Sequence, residues 1–466
     1  MHELKSLPRM ALPLVISFTF RFLFSVVDLS FAALLEAHDN SAVAAIGLYA
    51  PFQFGFIAIW VGLSGGFTAA LSQAFGRRDE ARVRALGRAI RKVLGFLVPL
   101  LSLGGVALWF AVPLLQLEPA LERSFRAYAA TMLIGMPLTG FWAIYPDSIV
   151  KAHQDTRSTM IAGLVASITN VALSALFAFT LGWGLFGIAL ATVVSRIPSL
   201  AYAIHRARFL ERGRLQHAWQ PIAATWAPPL RSILRLAGPG AATFGLAAVE
   251  SGIVNGLLKS AENATTAIAI YGVYDRLLLF ALMPASATAV AVVPFLARAL
   301  PTGDLRRIRQ DMIRALGIVA TIALAITVVL GYGLAEPVVG FLIKSEPGDQ
   351  AAPGAIALVR YLPLSALALS PFLVLRPVFE AANEPARGVW VSLLRYLALS
   401  IPLVLLARYA APRLGLGLLE ALILAMICAA TLAAAITAWL AAKTVRTAAA
   451  AHARRDNPSY PAPTNP

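Results

Sequence analysis

Cysteine, histidine and charge are what this chain has least of. Its 466 residues hold one cysteine, Cys428, so no intramolecular disulfide forms and no metal site can be built from thiolates. Only 13% of the residues are charged against 59% apolar, and the mean hydropathy is +0.75. A water-soluble chain of this length needs far more polar surface, so most of the sequence must face lipid or other helices. A phosphate-cradling glycine loop, a zinc-binding helix and a Ser-His-Asp constellation are all missing. ATP-driven pumping within the chain and enzymatic chemistry therefore lack support, and no metal or organic cofactor is expected.

What is present is a succession of apolar runs, each long enough to cross a bilayer, which takes about 20 apolar residues. Twelve spans are predicted, at 10–35, 42–75, 93–117, 122–150, 158–182, 184–205, 236–258, 265–297, 315–343, 354–382, 389–411 and 416–442. The runs at 42–75 and 265–297 exceed one bilayer thickness, so they should tilt, bend or protrude. The net charge of +16 could suggest a nucleic-acid partner. The arginines, however, sit in short clusters between apolar runs, which is the positive-inside pattern and argues for no nucleic acid. Placing both termini in the cytoplasm puts most of the 39 Lys and Arg on that side, including the cluster from Arg77 to Lys92. The opposite loops then hold only Arg123, Arg126, Lys259, Lys344, Arg360, Arg408 and Arg413. The N-terminus carries Lys5 and Arg9 without a small-residue cleavage site and reads as a retained anchor.

The two halves repeat. Pro13 of ALPLVIS is echoed by Pro239 of AGPGAAT, and Gly47 of AAIGLYAPF by Gly272 of AIAIYGVYD. LSQAFGRRDEARVRALGRAIR is echoed by LARALPTGDLRRIRQDMIRALG, and KAHQDTRS by EAANEPARG, always at an offset of about 225 to 230 residues. The expected fold is an all-α membrane protein, with twelve transmembrane helices in two pseudo-symmetric six-helix bundles around a central cavity. Its parts are an N-lobe at 1–205, a basic cytoplasmic connecting loop at 206–235 and a C-lobe at 236–442. A disordered cytoplasmic tail, 443–466, should follow. A monomer is expected.

The first run, Met10 to Leu35, carries Pro13, Arg21 and Asp28. Charge inside a span is expensive and usually faces a partner or a water-filled cavity. Arg21 and Asp28 are seven residues apart, on one face of a helix and about two turns from each other. This face is read as lining the cavity of a secondary transporter, with Asp28 its coupling carboxylate. The alternative is that Asp28 is a structural partner for Arg21. Pro13 is a candidate helix bend, and a static kink accounts for it equally well.

Taken together, the blocks LPLVIS…VVDLSFAALL, AVAAIGLYAPFQF…GLSGGFTAALSQAFGRRDEARVRALGRAI and KAHQDTRSTMIAG…ITNVALSALFAFTLGWGLFGIALATVVS resemble the multidrug and toxic compound extrusion (MATE) transporters. The resemblance covers the chain to about residue 445. It implies a two-lobed exporter of amphipathic organic compounds driven by inward H⁺ or Na⁺, in a bacterial inner membrane. It also implies a cation site on helices 1, 5 and 6, matched here by Asp28, Asn170 and Thr192. Where prokaryotic members carry a second aspartate on helix 5, this chain has Ser174. A single carboxylate favours H⁺ over Na⁺, which binds best to several oxygens. A second, C-lobe cation site of other members is matched only by Glu250, with Asn255 and Asp275 nearby in sequence.

Arg21, Arg276 and Arg376 are candidate cavity charges. They keep open a second function, a flippase for lipid-linked oligosaccharides or anionic lipids in the same superfamily, since arginine suits phosphate. Asp147 and Lys151 are expected to form an i,i+4 pair. Gly62 and Gly66 of GLSGG should permit close helix packing.

Overall fold

The computed structural model describes residues 6–8, 11, 12, 15, 27–35, 40–76, 78–153, 155–216, 228–261, 263–300, 304–343, 351–382 and 384–456. Among these there are helices and turns but no strand. In hydrocarbon every backbone N–H and C=O must be satisfied within the segment, and the helix does this without a partner. By length and composition, eleven helices among the described residues can cross a membrane, and they fall on the second to twelfth predicted spans. Of the first span, 10–35, only 11, 12, 15 and 27–35 are described. Pro13 and Arg21 lie outside the described residues.

By compactness the chain divides at Gly252, inside a helix, and not at the connecting stretch expected at 206–235. One unit is Phe24–Gly252 with Leu342–Glu346. It is built from α1 (27–35), α2 (Ser41–Leu48), α3 (Ala50–Gly76), α4 (Glu80–Ala111), α5 (Pro119–Gly140), α6 (Ile144–Ala152), α7 (Thr156–Ala175), α8 (Gly184–Val194) and α9 (Arg196–Leu215). The first part of α10 (Pro229–Leu258) also belongs to it. The 42–75 run breaks at Tyr49, just before Pro51. Within this unit α3 and α10 approach closely. A Cβ on Gly66 would collide with the Ile233 carbonyl oxygen and lie 2.9 Å from the Ala237 nitrogen, and one on Gly62 would lie 2.9 Å from the Ala241 methyl.

The other unit is Met1–Leu23, Ile253–Phe341 and Pro347–Pro466. It contains α11 (Ala264–Ala281), α12 (Met283–Ala299), α13 (Leu305–Val328), α14 (Ala335–Leu342), α15 (Ala351–Val359), α16 (Leu362–Leu375), α17 (Pro377–Ala381), α18 (Pro385–Leu393), α19 (Ile401–Leu414) and α20 (Leu418–Asp456). The over-long 265–297 run breaks at Leu282, where Pro284 opens α12. The core gathers Leu7, Phe295, Phe372 and Phe379. α20 does not stop at Lys443. It runs to Asp456 because TAAAAHARRD is rich in alanine, the best helix former, so only 457–466 of the expected tail lie outside the described residues. The expected 206–235 loop is likewise helical to Leu215 and again from Pro229.

Helix starts show the internal repeat at the level of single bonds. Asp79 caps α4 by accepting from the Arg82 N–H at 2.8 Å, and Asp304 caps α13 by accepting from the Arg307 N–H at 2.9 Å. Asp155 caps α7, accepting from the Ser158 N–H at 3.1 Å and hydroxyl at 2.7 Å, and from Arg206 Nε of α9 at 2.7 Å. Glu384 at the start of α18 makes no such cap and pairs with Arg387 at 2.6 Å.

The Ser158 hydroxyl, and after it Arg206, hold the Asp155 carboxyl below the usual carboxylate range. A depressed carboxyl contributes stability that is present above its unfolded value, near 3.9, and lost as the pH falls through the folded one. Asp155→Ala should therefore cost about 1 kcal/mol at neutral pH, as lost caps do, with the gap to wild type closing below about pH 4. Thermal unfolding in detergent across pH checks this. A gap that stays constant down to pH 3 would contradict it.

Candidate functional site

Three helices of the Phe24–Gly252 unit bring four of the predicted residues together. α7 ends in a π-helical turn, Leu176–Thr180, and the chain then reverses through Gly182 and Gly184, at φ +69° and +55°. Such angles favour glycine. Gly187 lets α8 settle on the backbone of Phe177 and Ala178, where a Cβ would stand 2.8 Å from the Phe177 carbonyl carbon. This hairpin sets Asn170 and Ser174, one turn apart on α7, opposite Thr192 on α8. Phe31 of α1 meets Phe179 edge-to-face, with ring centroids 5.3 Å apart, and lays α1 against the same end of the hairpin.

Asp28 of α1 then lies within reach of both other helices. Its Oδ1 accepts from the Ser174 hydroxyl at 3.2 Å and its Oδ2 from the Thr192 hydroxyl at 3.3 Å. The Asn170 amide donates to the Thr192 oxygen at 3.1 Å and to the Ser174 oxygen at 3.4 Å. Ser174 is fully buried, Asn170 is buried and Asp28 is half-buried. The chain of donors runs one way, from the amide through two hydroxyls to the carboxylate. Both bonds to Asp28 are longer than the usual O–H···O distance of about 2.7–2.8 Å. Thr192 also has the Ile188 carbonyl at 3.0 Å, a competing acceptor for its single proton.

The remaining predicted residues lie apart from this cluster in sequence and in element. Glu250 and Asn255 are buried on α10, and Asp275 and Arg276 are half-buried on α11. Arg376 is matched within its own turn, its Nη1 2.9 Å from Glu380 Oε1. Asp147 and Lys151 form the expected pair at 2.6 Å. Arg395, only 5% exposed, sits in the π-helical stretch Leu394–Ser400 with its guanidinium 4.0 Å from the Tyr396 ring centroid and 5.3 Å from that of Phe372. Cation–π contacts of this kind help to carry a buried guanidinium.

Sequence reasoning missed one polar contact in the other unit, the buried bond between Tyr274 and Ser365 at 2.5 Å. Its partners are 91 residues apart and carry no local signal.

Among the described residues there is no strand and eleven helices are long and apolar enough to cross a membrane, which defines a multi-pass membrane protein. Residues 13–176 and 239–406 match the MatE family, more than half of the chain, and the chain belongs to that family of transporters. It is 23% identical over 417 residues to a protein of Shewanella oneidensis described as "FAD transporter", covering 86% of this chain and 87% of that one. It is 24% identical over 283 residues to "Probable multidrug resistance protein YoeA" of Bacillus subtilis, covering 58% and 59%. Among solved structures it resembles the inward-facing conformation of a multidrug resistance MATE transporter of the MOP superfamily, with TM-score 0.77 and 17% identity over 92% of this chain and 95% of that one.

Thr192→Val removes the hydroxyl that links the Asn170 amide to Asp28, whereas Thr192→Ser keeps it. Leaving buried groups a partner short costs about 1–3 kcal/mol. The Val variant should unfold below wild type in detergent and the Ser variant close to it. Equal midpoints for all three would show that the link contributes nothing.

Proposed function

We propose that the chain is a secondary antiporter exporting amphipathic organic compounds, as in multidrug efflux, and that inward H⁺ drives it through Asp28. The observation that carries the reading is the donor set around Asp28. Two neutral hydroxyls point at the carboxylate, Asn170 presents its amide nitrogen and not its oxygen to them, and α7 carries Ser174 where a second carboxylate would strengthen a Na⁺ site. A site of this kind answers a proton more readily than a metal ion.

The ionised carboxylate accepts from α7 and α8 at once. A proton on either oxygen makes that oxygen a donor and removes the carboxylate's charge, so the bond from Ser174 or Thr192 to it weakens. Thr192 has the Ile188 carbonyl ready to take its proton. Protonation thereby weakens the tie between α1 and the α7–α8 hairpin, and a rearrangement of the first helix would lower substrate affinity. The inner membrane, the cytoplasmic placement of both termini, the two six-helix bundles and action as a monomer belong to the same reading. So do further polar contacts from Glu250, Asn255, Asp275 and Arg276.

A second reading is transport of an anionic, phosphate-bearing compound, including the lipid-linked substrates of a flippase. Its support is the similarity to the protein described as an FAD transporter. Arg376 lends it little, because Glu380 already balances that charge.

Efflux of a fluorescent organic cation from energised vesicles, under separate H⁺ and Na⁺ gradients, tests the proposal. Wild type should transport on a pH gradient alone and Asp28→Asn should fall to background. Transport by Asp28→Asn at the wild-type rate would sink the role given to Asp28, and vesicles that move FAD but no cation would favour the second reading. Ser174→Asp adds a second carboxylate beside Asp28 and should bring a response to Na⁺ that wild type lacks.

A further inference from the structure

At the arginine-rich end of the Phe24–Gly252 unit a cavity of about 570 Å³ opens between α3, α4, α6 and α9. Its floor is aromatic. Phe67 and Tyr145 stack with centroids 6.0 Å apart and planes 19° from parallel, and Gly87 makes room for the tyrosine, since a Cβ there would touch its ring at 3.4 Å. Arg84, Arg88 and Arg91 line the α4 wall at i, i+4 and i+7, all exposed, and Arg214 lines the α9 wall.

The three guanidiniums of α4 have no buried carboxylate among the described residues to balance them. Arg84 meets Glu80 at 3.5 Å with 69% of its side chain exposed, a contact that solvent screens. Arg88 has no hydrogen-bond or ion-pair partner among the described residues. Arg91 donates to the Tyr145 hydroxyl at 2.9 Å and lies 4.9 Å from that ring's centroid, which fixes its position without neutralising it. The one lining carboxylate, Glu211, is taken: Arg214 reaches both its oxygens, at 3.0 and 2.7 Å, and His153 Nε2 lies 2.7 Å from Oε1. Like charges at i,i+3 and i,i+4 repel, so three in a row along a concave aromatic floor favour an external anion. Guanidiniums in a fork suit phosphate oxygens.

We propose that this cavity binds a phosphate ester, supplied either by the headgroup of an anionic phospholipid or by a soluble phosphate. The site shares no residue with the Asp28 cluster and does not depend on the coupling reading. By the positive-inside pattern it faces the cytoplasmic leaflet, where anionic headgroups attract basic residues.

Native mass spectrometry of the whole chain in detergent, titrated separately with phosphatidylglycerol, phosphatidylcholine and pyrophosphate, tests it. The triple variant R84Q/R88Q/R91Q is compared with R306Q/R307Q/R309Q, which removes as much charge from the exposed start of α13. The triple variant should bind phosphatidylglycerol or pyrophosphate about a hundredfold more weakly, roughly a factor of five per arginine, with the α13 variant near wild type. Binding of phosphatidylglycerol alone identifies a lipid site, and binding of pyrophosphate that displaces it identifies a soluble ligand. If the triple variant does not fold, Arg88→Gln serves in its place, since that side chain holds no structural contact, and about a fivefold loss is expected. Equal weakening in the α4 and α13 variants, or phosphatidylcholine binding as tightly as phosphatidylglycerol with no pyrophosphate bound, overturns the proposal.

Discussion

In a hydrocarbon solvent a backbone N–H or C=O without a partner costs several kcal/mol, and this constraint shapes the chain before any side chain is considered. Helices satisfy it inside one segment, which is why no strand occurs among the described residues. Where the helix deviates, the deviation stays helical. The turns Leu176–Thr180, Val329–Gly333 and Leu394–Ser400 widen to π geometry and keep their backbone bonds while re-aiming the side chains around them. At the helix starts outside the apolar runs, Asp79, Asp155 and Asp304 supply the acceptors that the first turns lack.

The same scarcity of water governs the charges. Lys151 with Asp147 and Arg376 with Glu380 are matched one turn away, and Arg395 lies on aromatic rings. Pairs of that kind are closed within one helix and carry no information about helix packing. Asp28 is handled differently, because its donors come from two other helices. Its hydrogen bonds therefore tie α1 to the α7–α8 hairpin. Under the proposed H⁺ coupling, that link between a titratable group and packing would carry the drive from the proton to the helices.

The internal repeat clarifies which features are architectural. Asp79 and Asp304 perform one task in the two halves at the same place in the sequence pattern. Asp155 and Glu384 occupy matched positions, yet the shorter side chain caps its helix and the longer one turns to Arg387. One methylene decides it, since a cap needs an oxygen held close to the N2 or N3 amide.

Eleven spans, the need for the two over-long runs to bend and the Asp147–Lys151 pair are legible in the order of residues, because each depends on neighbours within a few positions, whereas the Arg376–Glu380 pair is not among the sequence expectations. The family was readable too, through blocks of motif in order. α9 and α20 reach past their apolar runs because helix propensity there prevails over charge and alanine-rich polarity. Asp28 is conspicuous in the sequence as a charge inside an apolar span, Asn170 and Thr192 only through the family likeness, and Ser174 only as a departure from it. Their convergence, the Tyr274–Ser365 bond and the Arg84–Arg88–Arg91 wall of a cavity closed by Arg214 belong to tertiary structure. Such contacts join residues up to 164 positions apart, and no local periodicity records a distance that packing alone creates.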